Sequence, residues 1–161
     1  MTAPRTRSRV VVRWAVVATV ALAIVAPAAG ARPIRPTVRP PTPTELGDRM
    51  LALINRARAT RGLPSLRLSP RLSREALHHS RAMAREHRLF HTPDLAALIS
   101  HEGGTVFGEN LGKGRGLVGI RDAWLREGDT RGNLLDARFR HAGLGVVHRD
   151  GFYWVTLQAF D

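Results

Sequence analysis

The 161-residue sequence predicts an α+β fold, a small central antiparallel sheet flanked by helices, on three observations. Helical periodicity recurs between residues 45 and 127, a hairpin signal closes the chain, and the last strand is apolar on both faces. In that strand Phe152, Trp154 and Phe160 point one way and Tyr153, Val155 and Leu157 the other. A strand apolar on both sides needs cover on both, so helices are expected above and below the sheet in an α-β-α sandwich.

The first helix is expected at 45–61. Met50, Leu53, Ile54 and Ala57, with Leu46 one turn earlier, recur at helical spacing, and Arg49, Arg56 and Arg58 are assigned to the opposite face. Thr44 serves as its N-cap and Gly62 as its stop. After a short extended piece, Leu63–Leu68, the pair Ser69-Pro70 places a capping hydroxyl before a proline whose missing N–H is no loss at the first helical position. The second helix then runs to about Arg88, with Leu72, Ala76, His79 and Met83 as its apolar stripe and Phe90 beyond its end. His79 lies within that stripe and is read as a hydrogen-bonded core histidine. Thr92-Pro93-Asp94 starts a brief helix, Leu95–Ile99, which Gly103-Gly104 ends. Val106-Phe107 leads into a short strand at Gly108–Leu111. Leu117, Ile120 and Trp124 mark the last helix, ending near Arg126–Glu127. Leu144–His148 and Phe152–Phe160 then flank Arg149-Asp150-Gly151, an Asp-Gly hairpin turn. Trp124, Trp154, Phe107 and Phe160 are the candidate core anchors.

Composition narrows the chemistry. With no cysteine the chain has no thiol nucleophile, no cysteine-ligated zinc and no disulfide framework. Its formal net charge of +12 invites a nucleic-acid reading, but seven arginines precede Glu45 and all 13 acidic residues lie at or beyond it. From Glu45 onward 18 basic residues face 13 acidic ones, and no basic-aromatic interleaving of the single-strand-binding kind appears, so nucleic acid is not the expected partner. The excess sits in the first segment. There Arg5–Arg13 form a basic leader, Trp14–Ala26 an apolar run broken by Thr19, and P-A-A-G-A (Pro27–Ala31) a cleavage-type stretch. Residues 1–31 read as a secretory signal peptide, with an uncleaved membrane anchor as the alternative. The apolar run is well short of the roughly 20 residues that cross a bilayer. Residues 32–44 carry five prolines and read as an extended linker, and 45–161 as the folded domain. The expected location is secreted, extracellular or associated with the cell envelope. The leader, if uncleaved, is the only membrane contact.

Two sets of residues carry candidate chemistry. His87 and His91 are four apart, the spacing of paired helical metal ligands, although the segment between them looks like a helix ending. His91, Glu109 and Glu127 form the other set. Glu127 is odd, because a carboxylate at a helix C-terminus faces the negative end of the macrodipole.

Eight motifs in order decide how these residues are grouped: L-I-N-R-A-R (Leu53–Arg58), G-L-P-S-L (Gly62–Leu66), L-F-H (Leu89–His91), G-E-N-L (Gly108–Leu111), A-W-L-R-E (Ala123–Glu127), R-G-N-L-L (Arg131–Leu135), G-L-G-V (Gly143–Val146) and Y-W-V-T-L-Q-A-F (Tyr153–Phe160). Over residues 45–161 the chain resembles the CAP superfamily of cysteine-rich secretory, antigen-five and pathogenesis-related proteins, in its bacterial SCP-like extracellular form. The resemblance implies a CAP-like α-β-α sandwich with a cleft lined by two His and two Glu, which in some members holds a divalent metal such as zinc. His91 stands at the first His, Glu109 at the first Glu and Glu127 at the second Glu. The second His, expected six residues after Trp124, is replaced by Thr130.

A threonine hydroxyl is a poor zinc ligand. His91 is then the one imidazole at the metal position, with Asp129 or His141 as possible recruits, and no cofactor is assigned. The expected function is a non-catalytic extracellular module that holds a lipid, a peptide or an anionic envelope polymer. The alternative is a divalent-metal-assisted hydrolase using His91, Glu109 and Glu127.

Overall fold

The structure is a computed structural model that describes residues 39–161. The leader at 1–31 and most of the linker at 32–44 lie outside the described residues. Helix α1 (Pro43–Ala59) starts inside the proline-rich stretch, two residues before the expected 45. Its N-cap is Thr42 and not Thr44, because Thr42 closes a capping box. Its hydroxyl accepts from Glu45 N at 3.2 Å, and Glu45 Oε2 accepts from Thr42 N at 2.6 Å. Pro43 fits the first helical position.

The chain continues through β1 (Arg67–Leu68), α2 (Pro70–Glu86), α3 (Leu95–Ser100), β2 (Phe107–Gly114), α4 (Leu117–Arg126), α5 (Gly128–Leu135), β3 (His141–Arg149) and β4 (Phe152–Phe160). The strand order is β1-β3-β4-β2. The three long strands pair antiparallel, as expected, but β1 joins β3 in parallel through Arg67↔His141 and Leu68↔Ala142, so the sheet is mixed. The hairpin turn holds Asp150 and Gly151 both at positive φ, 51° and 76°, which is why an Asp-Gly pair stands there.

Register sorts the sheet into two faces. Val146, Leu144, Val155, Leu157 and Ala159 face one side, where Leu46, Met50 and Ile54 of α1, Ile120 and Trp124 of α4 and Leu134 of α5 meet them in the main core. Trp154, Thr156, Gln158 and Phe160 face the other, under α2 and α3. Helix α2 lies almost in van der Waals contact with β3. A Cβ on Gly145 would fall 2.2 Å from the Ala76 carbonyl carbon, so only glycine allows this approach. Ser80 exploits the closeness, donating to Gly145 O at 3.1 Å while its hydroxyl sits 2.8 Å from that of Thr156.

β2 ends the sheet, and side chains from the helices beside it take two of its carbonyls. Trp124 Nε1 donates to Leu111 O at 2.8 Å, and Asn133 Nδ2 to Glu109 O at 3.3 Å. Of the expected anchors, Trp124, Trp154 and Phe160 are buried, whereas Phe107, at the start of β2, is 41% exposed.

Arg58 corrects the sequence reading most sharply. Assigned to the solvent face, it is fully buried. It lies one residue after Ala57 on the inner side of α1 and donates from Nε to Pro64 O (2.9 Å), from Nη1 to Leu134 O (2.9 Å) and Asp136 O (3.1 Å), and from Nη2 to Phe139 O (3.1 Å). Replacing Arg58 with Met keeps the apolar stem and takes the side-chain donor from the Pro64 and Leu134 carbonyls, while those of Asp136 and Phe139 keep only Phe139 N and Arg140 Nη1. The expected loss in urea unfolding is roughly 3–5 kcal/mol, and a loss below about 1 kcal/mol would show that the guanidinium does not hold these segments together.

Candidate functional site

Glu109 is an inward-pointing residue in the middle of β2, its side chain 3% exposed. A buried carboxylate needs donors, and the chain supplies four. Thr92 gives its backbone N–H to Oε2 (3.0 Å) and its hydroxyl to Oε1 (2.5 Å), Gln158 on β4 gives Nε2 to Oε1 (3.1 Å), and His91 Nδ1 lies 2.6 Å from Oε2. Burial alone would raise the Glu109 carboxyl above its ordinary value, but the bonds from Thr92, His91 and Gln158 together outweigh it and hold the group below.

The ionised carboxylate in turn makes His91 Nδ1 the donor, which leaves Nε2 free at the surface of a side chain that is 76% exposed. Gln158 is fully buried and its amide direction follows from the same need. Nε2 also reaches Thr92 Oγ1 at 2.8 Å, and Oε1 is left with no protein partner.

Glu127 sits at a junction the sequence did not reveal. The expected last helix is followed at once by α5, so Glu127 is both the C-cap of α4 and the N-cap of α5. Its carboxylate therefore stands at the favourable N-terminal end of a second helix dipole, which removes the oddity of its position. The side chain is exposed and borders a cleft of about 190 Å³ with Leu89, Leu111, Lys113, Ile120, Ala123 and Trp124. Lys113 leans over the rings of Trp154 and Phe152, at 4.5 and 4.8 Å.

Thr130, at the position of the missing histidine, turns inward. Its hydroxyl donates to Trp124 O at 3.0 Å, meeting a carbonyl that the end of α4 leaves open, and its own carbonyl accepts from Asn110 Nδ2 at 2.7 Å. The structure thus brings His91 and Glu109 into direct contact and sets Glu127 on the cleft wall beyond Leu89.

Zinc requires convergent lone pairs, and these residues do not provide them. Both Glu109 oxygens accept hydrogen bonds, the Thr130 hydroxyl donates into the protein, and His91 offers one nitrogen. Among the described residues no three His, Asp or Glu side chains converge on a common point. The His87–His91 pairing also fails, since α2 ends at Glu86 and His87 takes a left-handed φ of 52°. His141, a possible recruit, stacks on Phe160 from β3, which β4 separates from β2. His79 is a core histidine, its Nε2 2.7 Å from Phe90 O.

With the geometry in hand, the family comparison is direct: the model of the cysteine-rich secretory protein family, CAP, matches residues 51–159. The chain belongs to the CAP family. Among solved structures, an extracellular protein containing a SCP domain from Bacillus anthracis shares 25% identity at a TM-score of 0.57, over 76% of this chain and 45% of that one. A cysteine-rich secretory protein from Staphylococcus aureus shares 20% at 0.58, over 76% and 42%, and an outer surface protein of Borrelia burgdorferi 15% at 0.63, over 71% and 90%. This CAP chain spans under half the length of the Bacillus and Staphylococcus proteins. No curated protein matches it at a significant level.

A carboxyl held below its ordinary value of 4.5 binds fewer protons in the folded than in the unfolded chain. Its contribution is therefore complete above that pH and is lost as pH falls through the lower, folded value. Glu109→Gln is expected to lower stability at neutral pH by about 1–3 kcal/mol, because a neutral amide cannot accept from Thr92, His91 and Gln158 together. The gap to wild type should narrow in urea titrations carried from about pH 6 to about pH 3. A constant gap would mean that Glu109 is not held ionised by these bonds.

Proposed function

We propose that this CAP domain works outside the cytoplasmic membrane as a non-catalytic module that binds a peptide-like ligand in the cleft beside β2. The observation that carries the reading is the pairing of an apolar floor, Leu111, Ile120 and Trp124, with Lys113 and Glu127 on the rim, while the polar groups of Glu109 and Thr130 are engaged inside the protein. At about 190 Å³ the cleft lies below the roughly 300 Å³ at which pockets enclose a whole small molecule, so it suits one apolar side chain of a longer ligand. A peptide also carries charged ends or side groups that complement a cation and an anion set on one rim. Export is supported by the basic-apolar leader and by the extracellular Bacillus relative.

The test is saturation-transfer and amide-shift NMR with short leucine- and phenylalanine-containing peptides against decanoate as a lipid probe. Peptide shifts should cluster at Leu89, Ile120 and Ala123, and Ala123→Phe, which fills the cleft, should abolish them. Decanoate binding in the apolar groove of about 330 Å³ between α1 and α2, with no peptide response at the cleft, would replace this reading with a lipid carrier.

The His91–Glu109 contact favours a second reading, because an imidazole oriented by a carboxylate with its far nitrogen exposed is the arrangement of a general base. Hydrolysis of the bound peptides that His91→Ala abolishes would establish it. For the metal form of that reading, calorimetric zinc titration of wild type is expected to show no saturable binding at micromolar concentration. Saturable zinc binding that His91→Ala removes would restore the metal-assisted hydrolase.

A further inference from the structure

α2 carries an arginine ridge that the cleft does not use. Arg71, Arg74, His78, Arg81 and Arg85 are all exposed and follow one another at intervals of three and four residues. At 100° per residue they fall within an arc of about 80°, in a row about 21 Å long with a step of about 5 Å. The acidic residues of the helix, Glu75 and Glu86, lie along one flank of that arc. Arg71 pairs with Glu102 at 3.0 Å, whereas Arg74, Arg81 and Arg85 have no ion pair among the described residues.

We infer that this ridge is a docking surface for a linear polyanion of regularly repeated phosphate or carboxylate groups. Charge complementarity carries the assignment: an evenly stepped row of guanidiniums answers an evenly stepped row of anions, and each neutralised contact releases a counterion. A membrane surface fits less well. Helices that lie in a bilayer interface insert an apolar face, and the apolar face of α2, with Leu72, Ala76 and Met83, is fully buried against the sheet. Single-stranded nucleic acid fits less well too, since no aromatic side chain stands along the row to stack a base.

The probe is linear inorganic polyphosphate, titrated calorimetrically into the full chain at low and moderate salt. The triple reversal Arg74→Glu, Arg81→Glu and Arg85→Glu is compared with the charge-matched Arg49→Glu, Arg56→Glu and Arg126→Glu, and thermal unfolding verifies that both are folded. If the first triple is not folded, the neutral Arg→Gln triple at the same positions replaces it. The ridge variant should bind at least about tenfold more weakly, with a shallower salt dependence, and the control by less than about threefold. Tripolyphosphate should bind far more weakly than the polymer, which separates a linear chain from free phosphate. Equal losses in the two triples would show that net charge alone attracts the polymer and would overturn the assignment. So would tighter binding to phosphatidylglycerol vesicles or to single-stranded DNA than to polyphosphate.

Discussion

The fully buried guanidinium of Arg58 is the constraint from which the rest of the arrangement follows. The chain has no cysteine, so the irregular segments between its elements are not tied covalently. One side chain ties them instead, donating to the end of α5 and the turn before β3 at the carbonyls of Leu134, Asp136 and Phe139, and to the loop after α1 at that of Pro64. Removing a charge from water is unfavourable, and burial pushes the Arg58 guanidinium down from its ordinary value, with Arg140 adding to the effect and Asp136 opposing it. Carbonyl oxygens at all three nitrogens offset that desolvation and are themselves satisfied by it. Because α5 is anchored at its C-terminal end, Asn133, next to Leu134, and Thr130, near the other end, can hold β2.

β2 in turn presents Glu109, and there the same rule works in reverse. An anion buried within a sheet must collect donors from the chain that passes over it, so the segment after α2 is drawn down by Thr92 and His91. Gln158 completes the set from β4. The exposed imidazole nitrogen of His91 is thus the surface end of a network whose interior is fixed by the needs of one carboxylate. Thr130 belongs to the opposite side of β2 and serves the joint between α4 and α5.

What could be read in the sequence followed from periodicity and turn chemistry. α2, α4, the hairpin and both faces of β4 came from apolar spacing, Ser69-Pro70 and Asp150-Gly151, all local signals. Arg58 was misplaced because a polar residue on an amphipathic helix is assigned to water, and its partners lie up to 81 residues away. α5 escaped because Gly128 and Gly132 weaken its propensity and it buries only Leu134, so tertiary contacts hold it. Phe107 looked like a core residue by type alone, and the register does set it on the face of Glu109 and opposite Phe160, but at the strand end it stays 41% exposed. At the site, His91 and Glu109 are 18 residues apart, and no spacing rule joins them. The motif order of the family did, which is a different kind of information from the physics that holds the pair together.

The two faces of α2 show how far folding alone accounts for the surface. Its inner face is narrowly determined, since the close approach leaves no room for a Cβ at Gly143, against Leu72, or at Gly145, against Ala76. The outer face is under no such constraint. A helix placed for stability alone would alternate Glu and Arg at i and i+4, each such pair adding about 0.2–0.5 kcal/mol, and like charges at that spacing oppose the helix by a similar amount. Arg81 and Arg85 are four apart with no acidic residue between them. The fold tolerates that repulsion because α2 is held by its buried stripe and not by its surface pairs. The row of cations on the face of α2 that packing leaves free is therefore tolerated by the fold and not required by it.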